Sequence, residues 1–225
     1  MKNTGYLIAY LRLSLAVLLI GLAVFLLFPS ARFFFIEEDR GIENFSVLFY
    51  LLTFIAGSIY ALRVRKYRIL PLVIAIIGLL GLLDELSFGE RIFPNYKPPV
   101  LYYEEVDALH DLFKITYHMV RDFFYPHKMA ALVFLICTCL ATALILYRFR
   151  EKLRELMVFK EYKQSYLIML SALIMLCGAQ IIDLELIHSD LLFSIEEMLE
   201  MNGAAGFLFA ALSLRQSSDA PENPS

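Results

Sequence analysis

The chain has 225 residues, 60% of them hydrophobic, with a mean hydropathy of +0.66 and a formal net charge of −3. That is far too apolar for a soluble domain, and the small net charge hides a very uneven distribution of signs. The three cysteines, Cys137, Cys139 and Cys177, lie in apolar stretches without CxxC or zinc-ligand spacing and read as small buried hydrophobes.

Six apolar segments follow one another, at about 6–28, 42–62, 69–88, 129–147, 166–182 and 193–214. None alternates apolar with polar residues, so each reads as a helix rather than a strand. No small-residue cleavage site follows Phe28, and the first segment reads as a retained anchor. The expected architecture is all-α: a polytopic transmembrane helix bundle of about six spans, one domain over 1–215, with a disordered polar tail at 216–225.

The third segment is the most informative. Its uncharged run, Ile69 to Leu83, covers only about 22 Å at 1.5 Å per residue, against a hydrocarbon core of about 30 Å. The span must therefore take in Asp84 and Glu85, and carboxylates at that depth face the bundle interior, a partner or water. Gly78, Gly81, Glu85 and Gly89 recur at spacings of three and four, which places Glu85 on a face suited to close helix contact.

Lysines and arginines set the orientation. Arg63, Arg65, Lys66 and Arg68 follow the second segment, and Arg148, Arg150, Lys152, Arg154, Lys160 and Lys163 follow the fourth. With Lys2, Arg12 and Arg215, the predicted cytoplasmic side carries 13 of the 20 basic residues, and both termini are expected there. Threading and anionic lipid explain these basic stretches, and no nucleic-acid partner is expected. The opposite face gathers Glu37, Glu38, Asp39, Glu43, Asp84, Glu85, Glu90, Asp183, Glu185, Asp190, Glu196, Glu197 and Glu200. Glu196 and Glu200 share a helical face inside the outer leaflet, where like charges recruit a proton or a cation. Beyond them, Gly203, Ala204, Ala205 and Gly206 permit close helix packing.

Between the third and fourth segments, after Pro94-Asn95-Tyr96-Lys97-Pro98-Pro99, residues 102–124 carry a polar stripe of Glu104, Asp107, Asp111, Lys114, His118 and Asp122. Val106, Leu109, Phe113, Val120 and Phe124 lie largely away from it, as in an amphipathic helix at the membrane interface. Asp107 with His110, and Glu185 with His188, each place a carboxylate and an imidazole at i, i+3. That spacing recurs in di-iron carboxylate bundles, where carboxylates from two further helices complete the set. Glu85 with Glu200 or Glu43 are the candidates for that role, and Zn, Mn, Fe or Ca suits such O/N ligands. A solvated acidic rim with satisfied interfacial histidines explains the same residues without a metal.

The segments DELSFGERIF, DALHDL and SIEEMLEMNGAAGFLFAAL resemble a group of bacterial multi-span membrane proteins that carry EEISWGQRIF-like, NLHN-like and EExLE-like segments. The resemblance singles out Glu85, Arg91, His110, Glu197 and Glu200, implies a bacterial cytoplasmic (inner) membrane location, and brings no activity with it. Asp84 stands where that pattern has Glu, Phe88 where it has Trp, Glu90 where it has Gln and Asp111 where it has Asn. DELSF also resembles the EExxxR start of the CAAX-processing and bacteriocin-processing intramembrane proteases, in which a glutamate activates water. Here Gly89 occupies the arginine position, Arg91 falls two residues late, and His118-xxx-Asp122 fits the later HxxxN/D pattern without a preceding FxxxH.

No GxSxG, P-loop or HExxH motif is present. The expected function is a metal-assisted hydrolase or transferase acting on a lipid or lipid-linked substrate. Glu85, Glu196, Glu200 and Arg91 are its catalytic candidates, and Asp107, His110, Glu185 and His188 are its candidate ligands for a divalent metal. The alternatives are a structural subunit that docks a membrane protein partner through the acidic rim, and a cation- or proton-coupled transporter.

Overall fold

The computed structural model describes residues 5–36, 41–63, 68–87, 99–101, 104–106, 109–125, 162–183 and 189–218, with isolated positions between 137 and 148. The chain divides into two compact units, Met1–Leu86 with Phe159–Ser225, and Ser87–Val158.

In the first unit, α1 (Gly5–Leu27) buries Tyr10, Ser14, Gly21 and Phe25, one stripe at helical spacing. Pro29 stops the apolar run and opens a 3-10 turn, Pro29–Ala31, followed by the single-turn α2 (Phe33–Ile36). The next helix, α3 (Gly41–Arg63), starts at a glycine with φ +29°, where a Cβ would strike the Phe34 carbonyl. Glu43 in its first turn and Arg63 in its last match the helix dipole. Its buried stripe, Ile42, Ser46, Tyr50, Thr53 and Gly57, is small and polar at its centre, and Thr53 returns its hydroxyl to the Phe49 carbonyl at 2.7 Å.

Helix α4 (Ile69–Glu85) carries Pro71 in its first turn, where a missing N–H breaks no helical bond. It packs on α3 through glycines: a Cβ on Gly57 would meet the Ala75 backbone, and one on Gly78 would meet the Phe54 backbone. The helix ends at Glu85, earlier than the expected 88, because the chain turns at Leu86 and Ser87 adopts φ +47°. At 17 residues it is about 26 Å long, so Glu85 closes a helix shorter than the hydrocarbon core.

Two further helices of this unit are α6 (Lys163–Asp183) and α7 (Asp190–Ser218), numbered after α5 (Leu109–Phe124) of the second unit. At the centre of the unit, α7 packs against α1, α2, α3, α4 and α6. Gly203 and Gly206 allow this, since Cβ atoms there would meet Leu176 of α6, and Ala172 of α6 with Tyr10 of α1. Tyr10 donates to the Asn202 carbonyl at 3.1 Å, and the Ser165 and Ser213 hydroxyls hydrogen-bond across α6 and α7. The last helix also continues to Ser218, into the segment expected to be disordered; 219–225 lie outside the described residues.

Among the described residues three helices, α1, α3 and α6, are long and apolar enough to cross a membrane, matching the segments expected at 6–28, 42–62 and 166–182. Leu19, Ile20, Ile55, Leu62, Leu72, Ile174 and Ile181 are exposed, so the bundle presents an apolar exterior, as a lipid-facing surface requires. The fourth expected segment, 129–147, falls mostly outside the described residues.

In the second unit, β1 (Val100–Leu101) pairs antiparallel with β2 (Glu104–Glu105), and Val106 N–H extends the pairing to the Pro99 carbonyl at 2.9 Å. This corrects the expected helix start at 102: the preceding prolines favour an extended chain, and Val100 suits a strand. The helix itself, α5 (Leu109–Phe124), follows and buries Ile115.

Candidate functional site

Polar chemistry in the first unit gathers where α4 ends. Glu85 is partly buried there and lies in electrostatic reach of Glu200, Glu43, Asp84 and Glu197, ordered by decreasing influence. Three helices supply these groups: α3 at its first turn, α4 at its last, and α7 about two to three turns from its start. The antiparallel course of α4 against α3 follows from their short connection and brings the end of one beside the start of the other.

Tyr50 of α3 lies beside these groups. Its side chain is 5% exposed, its ring stacks on Phe207 of α7 at 6.4 Å between centroids, and it lies against Gly81, one turn before Glu85. Glu85, Glu200 and Asp84 all act electrostatically on the Tyr50 phenol. On the other side, Gln180 of α6 donates through Nε2 to Glu200 Oε1 at 3.3 Å. A phenol, a carboxamide and several carboxylates from four helices therefore share one neighbourhood, with groups able to donate, accept and exchange protons.

The residues expected from the sequence fare differently. Glu85 and Glu200 are brought together, and Glu196 lies on α7 one turn before Glu200. Arg91, Asp107, Glu185 and His188 lie outside the described residues, and His110 is placed by its backbone alone, in the first turn of α5. Among the described residues, no three His, Cys, Asp or Glu side chains converge tightly enough to hold a metal ion. His118 and Asp122 sit four residues apart on α5, and Arg121 Nε holds the Asp122 carboxylate at 3.0 Å.

Cys137 and Cys177 are exposed free thiols, not the buried hydrophobes expected, because an apolar residue in this chain has an apolar exterior as well as a core to face. Tyr50 and Gln180 escaped the sequence reading. Both were visible as polar side chains inside apolar helices, Tyr50 seven residues after Glu43 and so on the same face. Compared with models of protein families, with curated proteins and with solved structures, the chain matches none.

Proposed function

We propose that the chain is a polytopic protein of the bacterial cytoplasmic membrane, with about six spans, cytoplasmic termini and α5 resting at the interface. In this reading the carboxylates around Glu85 form an extracytoplasmic acid–base site for hydrolysis or group transfer on a lipid or lipid-linked substrate. The observation that carries it is that Glu43, Asp84, Glu197 and Glu200 all lie in electrostatic reach of Glu85, beside the buried Tyr50. Packing alone gives no reason to place carboxylates beside one another at the end of an apolar helix.

Such a group is held together by shared protons or a bound cation, and a carboxylate in it can take a proton from an attacking water or hydroxyl. Glu85 is the base in this scheme. Glu200, oriented by Gln180, is its partner, and Glu196 shares the same face of α7. A divalent ion on the candidate ligands of the sequence, Asp107 with His110 or Glu185 with His188, would polarise a substrate and supply an activated water.

Elemental mass spectrometry of the detergent-purified protein tests the metal, with Glu85→Gln, Glu200→Gln, His110→Ala and His188→Ala measured alongside. A near-stoichiometric divalent ion lost in the carboxylate variants supports a metal at this site, and the two histidine variants report which carboxylate–imidazole pair binds metal. Metal-free wild type, or metal retained in the carboxylate variants, overturns its assignment to this site.

A further inference from the structure

The first unit contains an apolar pocket of about 570 Å³ between α1, the Pro29–Ala31 turn, α2, the start of α3 and the first half of α7, with no carboxylate among its described lining residues. Gly21, Phe35, Met198 and Met201 contribute to its wall, and Ser30 brings the one side-chain hydroxyl among the described lining residues. The size falls within the roughly 300–1,000 Å³ of small-molecule sites.

Three observations decide what fills it. Water needs two to four polar partners to settle in a cavity, and this wall offers almost none. The lining residues Ile20, Phe33 and Phe45 are exposed, so the pocket opens on the outer surface of α1 and α3, two of the helices apolar enough to cross a membrane. Hydrocarbon is the solvent on that surface, and the two methionine thioethers adapt to a flexible chain.

The third observation is a cation between the lining residues Ala31 and Phe33. The Arg32 guanidinium donates from Nε to the Phe25 carbonyl at 3.0 Å and stands 5.1 Å over the Phe25 ring. These contacts fix the plane of the group at the end of α1 and, among the described residues, engage one of its three nitrogens. A guanidinium so held presents its Nη atoms as a fork suited to phosphate oxygens.

We propose that this pocket binds one acyl chain of a membrane phospholipid whose phosphate is held by Arg32. None of the carboxylates around Glu85 is among the described lining residues, and the lipid site does not depend on their activity. Its occupant has a long apolar chain for the Phe and Met wall and an anionic phosphodiester for the guanidinium.

Native mass spectrometry of the full chain, released from mild detergent after extensive washing, is the test. Wild type is expected to retain one phospholipid per chain. Val17→Trp, which fills the pocket from α1, and Arg32→Gln are each expected to lower occupancy at least fivefold, while Arg32→Lys retains more than Arg32→Gln. Added to delipidated wild type, dioleoylphosphatidylglycerol should bind at least tenfold more tightly than oleic acid, because the fatty acid lacks the phosphodiester. Thermal melts confirm that each variant is folded; Ala31→Phe replaces Val17→Trp if the latter is not. Wild type without retained lipid, equal occupancy in folded pocket-filling and Arg32→Gln variants, or equal binding of the two probes overturns the proposal.

Discussion

Gly81 and Tyr50 together position Glu85. A Cβ added to Gly81 would fall inside contact distance of the Tyr50 ring, with Cζ only 2.6 Å away. Replacing a helical glycine by alanine ordinarily favours the helix by about 1 kcal/mol. Here the ring is wedged between Gly81 and Phe207, and displacing it costs about 1–3 kcal/mol, so overpacking wins. Gly81→Ala is therefore expected to lower the melting temperature of the purified protein, read by circular dichroism in detergent. Tyr50 separates packing from chemistry: Tyr50→Phe keeps the stack on Phe207 and should change stability by no more than about 1.5 kcal/mol, whereas Tyr50→Ala should cost about 3–5 kcal/mol. If Tyr50→Phe lowers activity while its melt stays near wild type, the phenol belongs to the site and not only to the core.

At the scale of elements, α7 determines how the other helices meet. Its segment from Asn202 to Phe207 is buried throughout, and Gly206 admits α1 and α6 on adjoining faces. Gly206→Leu should separate both contacts and destabilise by about 3 kcal/mol or more, seen as loss of a cooperative melt. The second unit offers a different test. Met119, Val120 and Phe123 of α5 are exposed, Phe123 at 70%, while Asp111 and His118 lie on another face of the helix. A nitroxide at position 123 of a helix resting in the interface should be more accessible to oxygen than to a water-soluble nickel complex, with the reverse at position 111. Equal accessibility at the two positions contradicts the interfacial placement.

The sequence made some of these elements legible and hid others, for physical reasons. Helices α1, α3 and α6 were readable because an uninterrupted apolar run of about 20 residues has few alternatives. The glycines of α4 announced a close contact, but their partner, Tyr50, is set by the register of α3 against α4, which depends on tertiary packing. The early end of α4 depends on the backbone turn at Ser87, a residue with no strong preference for positive φ. The strand pair before α5 was hidden because six polar positions at helical spacing masked the stiffness of the preceding prolines. For the site, length pointed to Glu85, like-charge spacing to Glu200, and threading to Glu43 and Glu197 at the same face; Tyr50 and Gln180 beside them required the fold.

For the whole molecule, the distribution of lysine and arginine predicts that a fluorescent protein fused after Ser218 folds in the cytoplasm and that alkaline phosphatase fused at the same point stays inactive. The reverse pattern would move the carboxylates around Glu85 to the cytoplasmic face and with them the leaflet from which substrate arrives. Most direct for the role of Glu85 is genetic complementation by Glu85→Gln, in a strain lacking the chain, with membrane level and melting temperature measured on the same variant. The substitution keeps the shape of the side chain and removes its capacity to exchange a proton beside Glu200, Glu43, Asp84 and Glu197. A functional carboxylate predicts a protein that inserts normally, melts no lower than wild type and fails to complement. Full complementation by Glu85→Gln at wild-type abundance would contradict the acid–base site.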